Sequence, residues 1–490
     1  MESKYEILAG VVREKLREAP SLCLTADNWT ESHSTSGYLG VTVHYGEGVQ
    51  MESLVIGLIR LMERHTGVYL GDKMLECCTD WAIDPLRVTA CITDNAENIK
   101  LAVKLTFGSS KVLPCFDHTL NLVPKVALFE KDKNQQPHVP GVAELLKKVK
   151  EVVTLSHCSS NFSDEIKKIQ MEQFGKSEGT TLRLLQDVPT RWGSTYLMLE
   201  RWMELRPVVV LAASKFPAVN MPNAAEQQTL QSILDLLKPF HEATKEMGAE
   251  KTTTLSKCIP MYHLLLKAVN AVPAEGDIAS RLKTFLSGEL LRRFGGIETN
   301  KMVAAATILD PRFIKHYFQS PLAAADAVAY IEEQVKQELL LNLTDDTAAA
   351  DNDTSAGESD AVAGNAGGGL WSSHAELVAS SREGRTRTGN DIPAQARAEV
   401  RGYLGREIVS MDKNPLEVWE KLKIQYPGMY PVARRLLTTL ATSVSMERGF
   451  SIAGDIADDK GNRITSTHLR QRLFLKTVPT KFWEAARLKK

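Results

Sequence analysis

Short apolar runs alternate with amphipathic stretches over the first 125 residues. Five runs are typical of β-strands, and they cover residues 22–26, 37–45, 54–59, 88–93 and 111–115. Between the third and fourth runs, Thr66 to Trp81 repeats apolar residues at helical spacing. Further helical patterns follow Asn98 and His118. The resulting order, β-β-β-α-β-α-β-α, predicts an α/β unit.

Helical patterns dominate residues 136–343. Asn223, with a glutamate three residues later, has the pattern of a capping box. Behind it, leucine and isoleucine recur at i, i+3, i+4 and i+7 from Leu230 to Leu237. Pro239 is expected to stop or kink this helix. The region is therefore predicted to be a helical domain inserted in the α/β unit.

The composition changes at residues 344–393, which are rich in Ala, Gly, Asp, Ser and Thr. So few large apolar residues cannot offset the conformational entropy of the chain, which predicts a disordered linker. Helical patterns return in residues 394–490. Within them, Leu416, Trp419 and Leu422 lie on one face of a predicted helix.

Charge and composition narrow the function classes. The 490 residues include 59 Lys and Arg against 60 Asp and Glu, so the net charge is -1. Any nucleic-acid surface must therefore be a local patch. No apolar run approaches the roughly 18 residues of a membrane helix, and no membrane partner is expected. The 7 cysteines contain no C-x-x-C pair, so no structural zinc site is visible.

Two aspartates close apolar strand-like runs. Asp27 follows the first run and Asp94 follows the fourth. If these runs are neighbouring strands, the two carboxylates project from the same edge of the sheet. Carboxylate oxygens are the ligands that Mg²⁺ prefers, and paired metals can promote phosphodiester cleavage. The alternative is that each aspartate caps a turn, and the residues alone leave both interpretations open.

Three further sites contain residue types that could take part in catalysis or binding, but their sequence patterns are less specific than that of the two aspartates. Glu447 opens a short helix after a Ser- and Thr-rich segment, where it resembles many surface glutamates. Cys115 and His118 form a C-x-x-H unit without a partner pair for zinc, which favours a packed cysteine and a hydrogen-bonding histidine. In Arg191-Trp192, the indole is suited to stacking on an unpaired base beside a phosphate-binding arginine. Packing of Trp192 in a helical core is an equally good interpretation.

Five blocks in order along nearly the whole chain resemble the hAT superfamily of DNA transposases, especially its transposase-derived zinc finger BED domain-containing proteins. The blocks are residues 24–29 (LTADNW), 92–99 (ITDNAENI), 115–122 (CFDHTLNL), 189–195 (PTRWGST) together with 308–313 (ILDPRF), and 414–478, which contains SMERGFS. The resemblance implies an α/β ribonuclease H-like catalytic fold interrupted by an all-helical insertion. A helical C-terminal hAT dimerisation region completes that fold.

The resemblance also implies functional roles. Asp27, Asp94 and Glu447 would be the catalytic, metal-ligating triad, with Mg²⁺ or Mn²⁺ as the cofactor if the protein is active. Arg191, Trp192 and His118 would contact DNA, and Trp192 would stack on a flipped base. Cys115 would lie near the active site with His118.

The implied domains are residues 1–135 for the ribonuclease H-like part, 136–343 for the helical insertion, 344–393 for the linker and 394–490 for the dimerisation region. The dimerisation region would pack against the catalytic domain and a second subunit, and the apolar face of Leu416, Trp419 and Leu422 suits that role, including a dimer interface. Relatives normally carry an N-terminal BED finger that reads DNA bases. This chain is expected to begin almost at its first strand without those cysteines, so either the finger was lost or the chain is a fragment.

Three functional hypotheses follow. The first is a domesticated nuclear protein that homodimerises and binds DNA in transcription or chromatin regulation. The second is an active DNA transposase that cuts and joins DNA through the metal-bound acidic triad. The third is a dimerising protein-interaction scaffold that binds no DNA. Whether the chain is an enzyme stays open at this point.

Overall fold

The structure is a computed structural model that describes residues 1–31, 36–188, 192–216, 219–350, 391–458 and 464–488. Arg191, predicted to contact DNA, lies outside these ranges, as do residues 351–390 of the predicted linker. Within the described ranges, no helix combines the length and apolarity needed to cross a bilayer.

A five-stranded mixed sheet forms the α/β part of the chain. Its strands are β1 (Leu22–Thr30), β2 (Gly37–Glu47), β3 (Gln50–Leu61), β4 (Val88–Thr93) and β5 (Val112–Pro114). They lie in the order β3-β2-β1-β4-β5. Strand β1 is antiparallel to β2 and parallel to β4, which is in turn parallel to β5.

Four helices accompany the sheet, namely α1 (Glu2–Glu18), α2 (Gly67–Asp80), α3 (Glu97–Phe107) and α4 (Phe116–Phe129). From β1 onward, the predicted order β-β-β-α-β-α-β-α is confirmed. The expectation that the chain begins almost at its first strand is wrong, because α1 precedes β1. Its buried residues Tyr5, Leu8, Val12 and Leu16 keep a regular helical spacing that was visible in the sequence.

The next region is helical. Its helices are α5 (Val142–Cys158), α6 (Ser160–Phe174), α7 (Trp192–Ala213), α8 (Ala224–Met247), α9 (Cys258–Ala271), α10 (Asp277–Phe294), α11 (Lys301–Leu309) and α12 (Pro321–Ala350). The capping box at Asn223 is confirmed. Helix α8 continues through Pro239, so the predicted stop there is wrong. Leu236, Leu237 and Phe240 around it are fully buried, and their packing outweighs the missing backbone hydrogen bond.

Helix α12 runs past the predicted boundary at residue 343 to Ala350. The segment ends in three consecutive alanines, the residue type with the highest helix propensity. Beyond residue 390 the helices are α13 (Ile392–Leu404), α14 (Pro415–Leu422), α15 (Met429–Leu437), α16 (Val444–Asp458), α17 (Ser466–Thr477) and α18 (Thr480–Leu488).

The chain divides into two compact units. The first contains Met1–Glu47, Met51–Ile297 and Thr438–Lys490, and therefore the sheet, α1 to α10 and α16 to α18. The second contains Gly48–Gln50 and Glu298–Leu437, with α11 to α15. The predicted domain boundaries at residues 135, 343 and 393 stay predictions.

The apolar face of α14 is buried inside the second unit. Trp419 is fully buried, its Nε1 donates a 2.7 Å hydrogen bond to the carbonyl of Leu309, and its ring stacks on Tyr403. Leu416 and Leu422 are also buried. The expectation that this face forms a dimer interface is therefore wrong, because the chain's own second unit already covers it.

Candidate functional site

Asp27 lies inside β1 rather than at its end, because the strand continues to Thr30. Its backbone pairs with Gly40 of β2. Residues directly opposite each other in an antiparallel pair share one face of the sheet. The carboxylate Oδ1 of Asp27 accepts a 2.8 Å hydrogen bond from the backbone N–H of Asn28.

Gly40 allows helix α16 to approach this face of the sheet. A Cβ atom on Gly40 would lie 2.6 Å from the Sδ atom of Met446 and 2.6 Å from ring carbons of Phe450. The helix therefore depends on the missing side chain for its position. Glu447 lies in the first turn of α16, so the close approach brings it to the face that carries Asp27.

Asp94 directly follows β4, the parallel neighbour of β1. Strands β1 and β4 are therefore neighbours, which was the condition for the two carboxylates to lie at one edge of the sheet. Its Oδ1 accepts a 3.1 Å hydrogen bond from the N–H of Ala96. Asp94 thus also has the turn-capping role that the sequence left open.

Electrostatics link the three predicted carboxylates. The pKa of Asp27 is raised to about 7, chiefly by burial, then by the negative charge of Asp94 and, to a smaller extent, by that of Glu447. The hydrogen bond from Asn28 acts in the opposite direction. Two acidic residues that are far from Asp27 in the sequence therefore act on its carboxyl group in the folded chain.

Asp117 is a fourth acidic residue of this group, and sequence reasoning missed it. Its side chain is 3% exposed, and its Oδ1 has no hydrogen-bond partner among the described residues. Burial raises its pKa to about 7, and the charge of Glu447 contributes in the same direction. The available signal was its place between Cys115 and His118 in the CFDHTLNL block.

Cys115 and His118 lie at the start of α4. The Sγ atom of Cys115 accepts hydrogen bonds from the backbone N–H groups of His118, at 3.3 Å, and Ser443, at 3.4 Å. Burial raises the pKa of this thiol to about 12, so it is a protonated side chain, and the predicted packing of Cys115 is confirmed. His118 is half-buried in the first turn of α4.

Trp192 begins α7 and its side chain is 4% exposed. Its Nε1 donates a 2.8 Å hydrogen bond to Oδ1 of Asn121, and its ring meets Phe240 edge to face. Asn121 in turn donates a 3.1 Å hydrogen bond to Oδ2 of Asp117. In this conformation the indole is a core side chain, and stacking on a base would require it to leave that position.

Asn121→Ala should destabilise the fold by about 1–3 kcal/mol. The change leaves the buried Nε1 of Trp192 and Oδ2 of Asp117 without the Asn121 side chain that now binds both. Chemical denaturation of the full chain measures the effect. Exposed Asn134→Ala is the control, with an expected change within about 0.5 kcal/mol. Equal stability of the two variants would refute the bridging role.

The donor atoms of the acidic group suit a hard divalent cation. Asp27, Asp94 and Glu447 offer carboxylate oxygens, as does Asp117, whose buried Oδ1 atom has no hydrogen-bond partner among the described residues. All are oxygen donors, which Mg²⁺ and Mn²⁺ prefer. The described part of the chain holds no preassembled group of three His, Cys, Asp or Glu side chains for a metal ion. The site thus has suitable chemistry without a finished ligand geometry.

Three domain families match this chain. Residues 25–113 match the ZBED1 RNase-like domain, residues 113–236 match the ZBED1 RNase-like helical domain, and residues 399–477 match the hAT family C-terminal dimerisation region. The chain therefore resembles hAT-derived proteins in three successive segments. The ZBED1 RNase-like match contains Asp27 and Asp94, and the hAT dimerisation match contains Glu447.

Relatives support the same family. Human zinc finger BED domain-containing protein 4 is 27% identical over 96% of this chain and 39% of its own length. The putative transcriptional regulator tpeD of Talaromyces stipitatus is 22% identical over 96% of the chain and 55% of the relative. The putative AC transposase of Zea mays is 22% identical over 96% of this chain and 58% of its own length. The chain thus spans 39% to 58% of the length of these relatives.

Proposed function

We propose that this hAT-derived chain homodimerises and binds DNA in the nucleus, with a role in transcription or chromatin regulation. The meeting of Asp27, Asp94 and Glu447 carries the DNA-related part of the proposal. Burial of Asp27, together with the charges of Asp94 and Glu447, raises its pKa and therefore costs stability when the carboxylate is ionised. A divalent cation that bridges them to phosphate oxygens would relieve their repulsion.

The sheet supports a ribonuclease H-like fold as part of the proposal. Strand β1 lies at its centre, is antiparallel to β2 and is parallel to β4. The matches to RNase-like domains over residues 25–236 support the same fold. Under the proposal, the central strand β1 supplies Asp27, and Asp94 follows its parallel neighbour β4.

Dimerisation and regulation rest on the comparisons. Residues 399–477 match the C-terminal dimerisation region of the hAT family, and this match supports self-association. One relative is named a zinc finger BED domain-containing protein and another a putative transcriptional regulator, and these names support nuclear action. Light scattering across a concentration series would test the dimer directly.

A second candidate, the DNA transposase, is favoured by the electrostatic link between all three carboxylates. Asp27, Asp94 and Glu447 would hold Mg²⁺ or Mn²⁺, which supplies Lewis-acid activation of a phosphodiester and of water. The chain's own contribution is to hold Asp27 and Asp94 half-buried and to bring the charge of exposed Glu447 within reach of Asp27. Asp117 adds negative charge beside Glu447, which strengthens the attraction for a cation.

DNA binding and cutting by the full chain separate these candidates. Duplex DNA, with and without an unpaired base, would be incubated with Mg²⁺, with Mn²⁺ or with a chelator. If cutting occurs, Asp94→Asn should reduce it by more than about 100-fold, since loss of an outer-shell partner alone typically costs 10–100-fold. Asp84→Asn is the matched control, because Asp84 also accepts a hydrogen bond from the N–H two residues ahead but lies in an exposed turn.

The outcomes distinguish the three hypotheses. Metal-dependent cutting that Asp94→Asn loses and Asp84→Asn keeps would establish the transposase. Binding without cutting by the wild-type chain supports the proposed regulator. A dimer that neither binds nor cuts DNA would contradict both and leave the interaction scaffold.

A further inference from the structure

A fully buried histidine lies between the sheet and helix α16. The Nε2 atom of His44 is 3.3 Å from Oγ1 of Thr25 and 3.4 Å from Oγ of Ser445. The two hydroxyl oxygens are themselves 3.4 Å apart. All three side chains, here called the His44 cluster, are buried. They therefore bind one another rather than water.

The chemistry of His44 is costly for a core position. Burial lowers its pKa to about 3, so the imidazole is neutral at physiological pH. A neutral imidazole has one donor and one acceptor nitrogen. Nε2 faces the two hydroxyls, whereas the buried Nδ1 has no hydrogen-bond partner among the described residues. An apolar side chain of similar size would avoid this cost, so packing alone does not explain the histidine.

The His44 cluster joins the two elements that carry Asp27 and Glu447. Thr25 precedes Asp27 by two residues on β1, so the two side chains share one face of the strand. Ser445 precedes Glu447 by two residues in the first turn of α16. The cluster therefore ties the strand that carries Asp27 to the helical turn that carries Glu447.

A neighbouring contact orients the same turn of the helix. Thr42, opposite Thr25 on β2, donates a 3.4 Å hydrogen bond to the sulfur of Met446. Met446 also occupies the space left open by Gly40. Three successive positions on one face of β2, residues 44, 42 and 40, thus meet three points on α16.

We propose that His44 is a positioning residue for Glu447, which fixes the first turn of α16 against β1 so that the Glu447 and Asp27 carboxylates face one cation site. The inference rests on the proposed function for the cation. The placement of Glu447 beside Asp27 is a separate claim that a metal-free measurement can test.

The first experiment measures Mn²⁺ binding to the full chain. His44→Leu should weaken Mn²⁺ affinity by about 10- to 100-fold, the usual effect of losing support for a ligand. His44→Gln keeps a polar group in the cluster and should recover part of the affinity. His157→Leu is the control, because Nε2 of His157 also lies 3.0 Å from a polar atom, the carbonyl of Leu184, but on α5. It should bind Mn²⁺ as the wild type does.

The second experiment uses no metal. A double-mutant cycle of Asp27→Asn and Glu447→Gln reports the interaction of the two carboxylates as non-additive changes in unfolding. The non-additivity should be present in the wild-type background and lost in the His44→Leu background. A purely structural histidine would change overall stability without changing this interaction.

A folded His44→Leu protein that keeps both wild-type Mn²⁺ affinity and the non-additivity would overturn the positioning role. If the wild type binds no Mn²⁺, the cation site fails, and the cycle alone decides the placement of Glu447. If His44→Leu does not fold, Ser445→Ala replaces it, because this change removes one hydroxyl of the His44 cluster. Mn²⁺ affinity and the non-additivity are then measured in the Ser445→Ala background, with the same expected losses.

Discussion

Replacing Asp27 with asparagine is expected to stabilise the metal-free folded chain at pH 8 by about 2–4 kcal/mol. In the folded chain the pKa of Asp27 is raised from 3.8 to about 7 by burial and by the charges of Asp94 and Glu447. At pH 8 the wild-type carboxylate is ionised in this unfavourable environment. Asparagine has nearly the same shape and carries no charge.

The pH dependence follows from the same shift. Between pH 4 and pH 7 the folded chain retains the Asp27 proton while the unfolded chain releases it. The wild type therefore loses stability as pH rises through this window. Asp117 has a raised pKa in both proteins, so the informative quantity is the difference between variant and wild type. That difference should be near zero at pH 4 and reach its maximum above pH 7.

Chemical denaturation from pH 4 to pH 8 measures the difference. Asp84→Asn is the control, since Asp84 is exposed and asparagine preserves its capping role. Added Mn²⁺ should stabilise the wild type but not Asp27→Asn, because only the wild type keeps the full ligand set. An Asp27→Asn protein that is no more stable than the wild type at pH 8 would show that neither burial nor the neighbouring charges destabilise the ionised Asp27.

Trp419→Ala is expected to destabilise the second unit by about 3–5 kcal/mol. The change removes a fully buried indole, its stacking on Tyr403 and its hydrogen bond to the carbonyl of Leu309. Hydrogen exchange of backbone amides in α11 and α14, followed in denaturant, measures the loss within this unit.

Ile424→Ala is the matched control for this prediction. Ile424 lies two residues past the end of α14 and is 87% exposed, so its loss should change stability by no more than about 0.5 kcal/mol. If the Trp419→Ala chain is as stable as the wild type but is monomeric, the apolar face of α14 forms part of the dimer interface after all.

Much of the local structure was predictable because it depends on neighbouring residues. The strand and helix order after β1 follows from apolar spacing, and the Asn223 capping box is a contact within four residues. Helix α1 was predictable from the same spacing and was overlooked. The continuation of α8 through Pro239 was not predictable, because burial of distant partners outweighs a local preference.

The sequence by itself determined the α/β order, the family resemblance and an aspartate after each of two strand-like runs, since all three are written in short contiguous segments. The pairing of those two strands came from the tertiary structure. Only the tertiary structure decided that Glu447 approaches Asp27, that Asp117 is buried within reach of the charge of Glu447, and that Trp419 is an internal side chain. These outcomes depend on close packing between remote segments, such as the approach of Met446 to the bare backbone of Gly40. The spacing of apolar residues along the chain does not specify which distant segments will pack together, because the burial of a residue depends on the complete tertiary structure.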